Sequence, residues 1–365
     1  MKKIVCVAAL VCIGLAMKAQ DQQNGSSLLL LNEKNAHSSE YIPVFQYWKE
    51  HNIFQHLDVS LNAGTSGIGI EVSSPIGEYV QLRAGYEFMP RFEKTMKFDL
   101  TIGGKPARQY DEDGNRVTTT FDKMRELLYQ FSGYDVEDHA DMVGKPTMNN
   151  FKLLVDVFPF KENKHWHFTG GFYWGPSQFA LADNSTQAMI SLLSVGMFNN
   201  MYDKAVAGEP WIDVGAIDSK YEGLNIDDPM IQKAILSFGR LGFSLGTFKH
   251  DMTDNNGVEH HAGERYIVEP GEDGMVHVKA QSNSFKPYLG FGYGGNLLKN
   301  RDDWKVSFDC GAMFWGGTPG LYVHDGVNLT KDVENINGQV GTYVDLFKAF
   351  KVYPVLSFKI TKRIF

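Results

Sequence analysis

The chain has 365 residues, with 43 acidic against 35 basic side chains for a formal charge of −8, and its mean hydropathy is −0.26. That acidity offers no electrostatic case for binding nucleic acid, and no apolar run reaches the roughly twenty residues of a spanning helix. A transmembrane β-barrel stays open, because its wall is apolar only at every second residue.

Lys2 and Lys3 precede the apolar run Ile4 to Met17, and Lys18-Ala19 follows. A basic start, a short apolar run and a small residue at the cut predict a secretory leader over 1–19. Val11 before Cys12 argues against a lipoprotein signal. Cleavage removes Cys6 and Cys12, leaving Cys310 alone and no intramolecular disulfide. It also removes Lys2, Lys3 and Lys18, so 32 basic residues face 43 acidic ones and the charge becomes −11. Residues 20–55 form a polar lead with an isolated Leu28–Leu31 patch, expected as a loosely held periplasmic segment.

The barrel domain is expected over 56–365. HLDVSLNAGTSGIGIEVSS carries Val59, Leu61 and Ala63, then shifts parity to Ile68, Ile70 and Val72. The shift at Gly64-Thr65-Ser66-Gly67 marks a bulge in one strand or a tight turn between two. In YVQLRAGYEF, Val80, Leu82, Ala84, Tyr86 and Phe88 share one face and Gln81, Arg83 and Glu87 the other. Residues 93–148 break the pattern. QYDEDGNRVTTT predicts an Asp-Gly hairpin, and Phe121, Met124, Leu128 and Phe131 predict a short amphipathic helix. NNFKLLVDVFPF resumes a strand, with Lys152 and Asp156 inward.

HWHFTGGFYWGPSQF then alternates Trp166, Phe168, Phe172 and Trp174 with His165, His167, Thr169 and Tyr173. An uncharged, ring-rich face opposite a small polar one fits a strand between lipid and a polar lumen, with Trp and Tyr at the boundary. A second excursion, 180–235, carries a helix near 187–206. A strand is expected over Phe238–Phe248, with Arg240 inward. In a third excursion, YIVEPGEDGMVHVKA predicts another Asp-Gly hairpin. FKPYLGFGYGG and WKVSFDCGAMFWGG follow as strands, with Lys286, Lys305 and Asp309 inward. After a fourth loop, KVYPVLSFKITKRIF closes the chain with Lys359 inward.

These readings predict an all-β protein: a closed antiparallel transmembrane barrel of eight to ten strands, with long extracellular loops holding hairpins and short helices. The inward charges Arg83, Glu87, Lys152, Asp156, Arg240, Lys286, Lys305, Asp309 and Lys359 are expected to pair as a plug, since an eight-stranded interior is filled by side chains. His165 and His167 lie two apart on one face, but no third metal ligand is apparent, and neither a metal nor a cofactor is expected. Asp111, Asp113 and Asn115 fit turn chemistry better than a calcium loop, which lacks its distal Glu. Gly290–Gly295 has the wrong spacing and setting for a dinucleotide fingerprint. No GxSxG motif or defensible Ser/His/Asp set occurs, and no enzyme is expected.

GTSGIGIEV, VQLRAGYEF, LLVDVFPF and KPYLGFGYG, with the terminal Phe365, resemble the small outer-membrane β-barrels of Gram-negative bacteria. The likeness is OmpA-like in broad class, and these phrases resemble barrel proteins common in the Bacteroidota. The resemblance implies an outer-membrane location, surrounding lipid, and recognition of Phe365 by the barrel-assembly machinery. The parity of Phe365 departs from that pattern, because Lys359, Thr361 and Arg363 share it. Three functions follow: a non-enzymatic barrel whose loops bind an extracellular ligand or shield the surface, a narrow pore or solute-binding barrel, and a soluble periplasmic β carrier.

Overall fold

A computed structural model describes residues 53–160, 163–209, 229–299 and 301–364. The expected leader, nearly all of the polar lead, part of the Lys161–Lys164 turn and Phe365 lie outside the described residues.

Eight antiparallel strands close on themselves in chain order: β1 (Asp58–Gly64), β2 (Gly67–Ile76), β3 (Val80–Phe88), β10 (Asn149–Val157), β11 (Trp166–Trp174), β18 (Phe285–Leu298), β19 (Arg301–Met313) and β22 (Tyr353–Arg363). The seam joins first to last, from Asp58 opposite Arg363 to Gly64 opposite Ser357. The parity shift near Gly64 is a hairpin, turning at Thr65-Ser66. Gly67 has φ +119°, and a Cβ there would meet the Phe88 carbonyl at 2.2 Å, so this corner needs glycine.

The wall's polarity follows the period of two. Leu61, Ile70, Tyr86, Phe168, Leu289, Phe291 and Phe358 stand exposed on its outside. Trp166 pairs with Tyr293 at one end of this band and Trp174 with Phe285 at the other. The nine residues from Trp166 to Trp174 match the roughly 9–11 that carry a tilted strand across hydrocarbon.

Short turns (β2 to β3, β10 to β11, β18 to β19) lie at one end, and three long excursions leave from the other. Five wall strands run on past the band after two to six residues. In wall order β3, β10, β11, β18 and β19 they become β4 (Lys94–Asp99), β9 (His139–Pro146), β12 (Gln178–Asn184), β17 (His277–Gln281) and β20 (Gly320–Val323), paired in the same sequence. Hydrogen bonds carry the ladder through the joints, from Met89 N to Met148 O at 2.8 Å and from Asn283 N to Trp315 O at 2.9 Å.

A second sheet packs above the barrel: β13 (Leu241–Phe248) with β16 (Arg265–Val268), β5 (Thr101–Ile102), β6 (Lys105–Pro106) and β21 (Val333–Glu334). Two small hairpins stand apart. β7 (Gln109–Tyr110) pairs with β8 (Arg116–Val117), and β14 (Met252–Thr253) with β15 (Glu259–His260). Four helices complete the described excursions: α1 (Thr120–Ser132), α2 (Thr186–Ala207), α3 (Pro229–Phe238) and α4 (Gly338–Ala349). Thr119 and Asp122 close α1 with reciprocal capping bonds, and Gly133 ends it in the left-handed conformation. Its Phe121, Met124 and Leu128 are fully buried. The Asn199 side chain of α2 clamps Leu241, donating to its carbonyl at 2.7 Å and accepting from its N–H at 3.0 Å.

Two expectations are corrected. The strand near Phe238–Phe248 is not in the barrel. It is β13, and its Leu241, Phe243 and Phe248 are buried against protein. Alternation reads the same whether the apolar face meets lipid or a protein core. Dropping this strand while counting 58–76 as a hairpin leaves eight, with every long excursion at one end. YIVEPGEDGMVHVKA does turn at Gly274, but its arms separate: β16 joins β13 while β17 joins β12 and β20.

Candidate functional site in the barrel lumen

The inward positions of six wall strands bring titratable side chains together in the lumen. Arg83 of β3 reaches Asp156 of β10 at 3.0 Å, Asp309 of β19 at 2.8 Å and Glu71 of β2 at 3.6 Å. Lys152 of β10 holds Glu71 at 2.8 Å and also pairs with Glu87 of β3. Lys359 of β22 lies 3.2 Å from Glu71 and 3.7 Å from Asp309. Two neutral donors add to these pairs: Thr169 donates to Asp156 at 2.7 Å and the Asn62 amide to Glu87 at 2.5 Å. His167 Nε2 sits 2.8 Å from Asp309. Four carboxylates and three basic side chains thus interlock, all of them buried. An unpaired charge there would cost several kcal/mol, about what pairing and hydrogen bonding restore.

Leu154, which opposes Arg83, Tyr173, which opposes Lys152, and Tyr288, Met313 and Val355 face the interior beside these charges with nearly no exposed surface. Tyr173 and Tyr288 meet edge to face at 5.4 Å. Trp315 stacks on Phe179 at 5.0 Å and donates its indole N–H to the Phe350 carbonyl at 2.9 Å. Below the charged layer a polar cavity of about 770 Å³ includes His56, Gln81, Lys305 and Arg363 in its lining, with Asp156, His167 and Lys359 of the charged layer also reaching it.

Of the anticipated lumen charges, Arg83, Glu87, Lys152, Asp156, Asp309 and Lys359 converge on one network. Lys286 is buried higher up, donating to Asn150 at 3.1 Å. Lys305 lies partly buried in the lower cavity. Arg240 is not in the lumen. It stands just before β13 and forks onto Glu269 at 2.5 and 2.8 Å, with Asp203 beside it. Glu71, touched by three cations, escaped the sequence reading. Once Ile68, Ile70 and Val72 face outward, residue 71 must face inward, so the strand's own parity carried that signal. His165 and His167 turn to different partners, the Gly294 carbonyl and Asp309. Among the described residues no three His, Cys, Asp or Glu side chains gather in metal-ligating geometry.

A closed antiparallel wall with a ring-rich outer band, a charged interior, short turns at one end and long excursions at the other defines an integral outer-membrane β-barrel. The protein is such a barrel, with eight strands. No family model matches the sequence, nor does any curated protein. Among solved structures it is similar to CarO2 and CarO of Acinetobacter baumannii, each 13% identical with a TM-score of 0.34. These alignments cover 85% and 84% of this chain and 98% and 97% of theirs. A major outer membrane protein of Thermus thermophilus is 11% identical with a TM-score of 0.26, covering 85% of this chain and 98% of its own. The class rests on this chain's own register and polarity.

Proposed function

We propose that the barrel is a non-conducting, non-enzymatic anchor that presents its extracellular excursions as one binding domain. The observation that carries this reading is the lumen itself: its inward charges interlock, and they and the apolar residues beside them have nearly no exposed surface. Beyond the barrel the excursions share a core, in which Leu100, Phe121, Leu192, Phe198 and Leu241 are fully buried. Loops built as a packed domain suit recognition, because rigid elements hold a binding surface at lower entropic cost than free loops. Outer-membrane lipid covers the ring-rich band in this reading, and the C-terminal segment carrying Phe365 engages the assembly machinery.

Single-channel recording of the purified protein in planar bilayers tests the proposal. The expected trace shows no steady unitary current, and a reproducible open level would overturn it. The polar lining of the lower cavity supports a second reading, in which small solutes bind from the periplasmic side without crossing.

A further inference from the structure

An apolar cavity of about 340 Å³ lies between the five-stranded extension of the wall and the elements packed over it. Its floor is the inner face of that extension. Gly144 pairs with Ala182, and Ala180 with Ala280 through the shared register of β12 and β17. These small residues leave the room. Its roof includes one stripe of α4, Val340, Tyr343, Val344 and Phe347, at the three-four spacing of a single helix face. The space is more than twice the roughly 150 Å³ that accepts a benzene-sized guest in a dry apolar core. It falls within the range of roughly 300–1,000 Å³ usual for small-molecule sites.

The mouth is marked by the two lining residues that remain exposed, Phe92 and Lys94. They lie four and six residues beyond Phe88, the outer end of β3, and so just past the apolar band. Lys94 opposes Gly144, which opposes Ala182, so Lys94 shares the cavity face. The other charged lining residue, Lys145, has the opposite parity and pairs with Glu93 at 3.1 Å. An apolar, chain-sized space with Lys94 at its entrance, next to the membrane boundary, selects its guest by both ends.

We propose that this cavity holds the hydrocarbon chain of an anionic amphiphile, with the acidic head beside Lys94. The proposal rests on reading the excursions as a binding domain and names the ligand class of that domain. The chain replaces water along apolar walls, and the head keeps its hydration while meeting the ammonium.

The test uses the full chain in lipid nanodiscs with three photoreactive probes: dodecanoic acid, dodecylamine and a phosphatidylglycerol, each carrying a diazirine near the chain end. After irradiation, labelled residues are identified by mass spectrometry, with lipid-facing Leu289 and Phe308 as the internal standard. The expected result is labelling of cavity residues such as Met142, Val278 or Val344 by an acidic probe. Labelling by the free acid alone assigns a soluble fatty acid, and labelling by the phospholipid a membrane lipid. Ala182→Trp fills the floor and should cut cavity labelling about tenfold or more. Lys94→Glu, on the exposed rim, should weaken acid labelling roughly fivefold and spare the amine. It decides the matter even if the filled variant fails to show heat-modifiable migration. Label confined to the outer band, or cavity label indifferent to Lys94→Glu, overturns the proposal. A conducting wild-type barrel would sink the anchor reading, whereas an unlabelled cavity in a silent barrel sinks only the ligand class.

Discussion

Replacing Arg83 by Met strips the lumen network of its central cation while keeping most of the side-chain volume. Arg83 donates a hydrogen bond to Asp309 at 2.8 Å and forms ion pairs with Asp156 at 3.0 Å and Glu71 at 3.6 Å. The hydrogen bond to a charged group alone accounts for roughly 1.5–3 kcal/mol. Removing one partner of a buried ion pair costs about 3–5 kcal/mol, which takes in the carboxylates left behind. The expected loss is therefore about 4 kcal/mol. Urea-dependent folding into lipid vesicles, followed by tryptophan fluorescence, measures it. Arg83→Lys keeps the charge but loses the planar fork, and should recover only part of the loss. A cycle with Asp156→Asn should return a coupling of about 1–3 kcal/mol. If Arg83→Met folds within about 1 kcal/mol of the wild type, those carboxylates are hydrated without it. The non-conducting reading then fails.

Two other perturbations probe different parts of the molecule. A Cβ on Gly292 would stand 2.2 Å from Asp309 Oδ1 and 2.3 Å from His167 Nε2, so Gly292→Ala must force that pair apart. It should cost about 1–3 kcal/mol in the same vesicle assay. Gly170→Ala, whose nearest neighbour would be Leu289 at 3.7 Å, should stay within about 0.5 kcal/mol; equal effects would contradict the geometry. In the extracellular domain, burial pushes the His324 imidazole below its usual value, against the pull of Asp325 and Asp273 and with the help of His277. The unfolded chain then takes up this proton first, so stability is full above about pH 6.5 and falls as pH drops below it. Hydrogen exchange in β17 and β20 should quicken as the pH is lowered from about 7.5 to about 5.5, once corrected for the intrinsic rate, and His324→Gln should flatten that dependence. A wild-type profile already flat would refute the assignment.

The barrel was legible because its strands state two solvents at period two, and because Asp-Gly and Thr-Ser corners punctuate them. Arg83, Lys152, Asp156 and Asp309 were legible for the same reason: a charge strictly opposite rings has only the lumen to face. Three features were not. β13 carries the alternation of a lipid-facing strand, and only its partners reveal that Phe243 meets protein. The helix α4 hides in a segment rich in glycine and polar residues, although Val340, Tyr343, Val344 and Phe347 keep helical spacing. The separation of β16 from β17 depends on contacts distant in the chain, such as Val278 with Ala182, and no local turn signal encodes those.

The two halves of the wall also explain one another. In β18 the odd positions Phe285, Leu289, Phe291 and Tyr293 are apolar and exposed, and the even position Lys286 is buried. In β17, only a few residues earlier on the same ladder, Val278 and Ala280 occupy the even positions and His277, Lys279 and Gln281 the odd ones. β9 and β10 repeat the exchange: Ala140 and Met142 face inward above, Lys152 and Asp156 inward below. On these two strands the inward parity is kept while hydrophobicity changes sides, because the outer surface passes from hydrocarbon to water. At the joints of β3 with β4 and of β11 with β12 the inward parity moves from odd (Arg83, Tyr173) to even (Met96, Ala182). Once water wets the outside, the inner face must supply the core, and Lys94 and Lys145 are the charges left in the cavity lining. The point of exchange, between Gln281 and Phe285 on one strand and between Pro146 and Asn149 on another, therefore marks the outer edge of the membrane in the sequence itself. The apolar cavity stands immediately beyond that edge, where the inner walls have only each other, or a hydrocarbon guest, to exclude water.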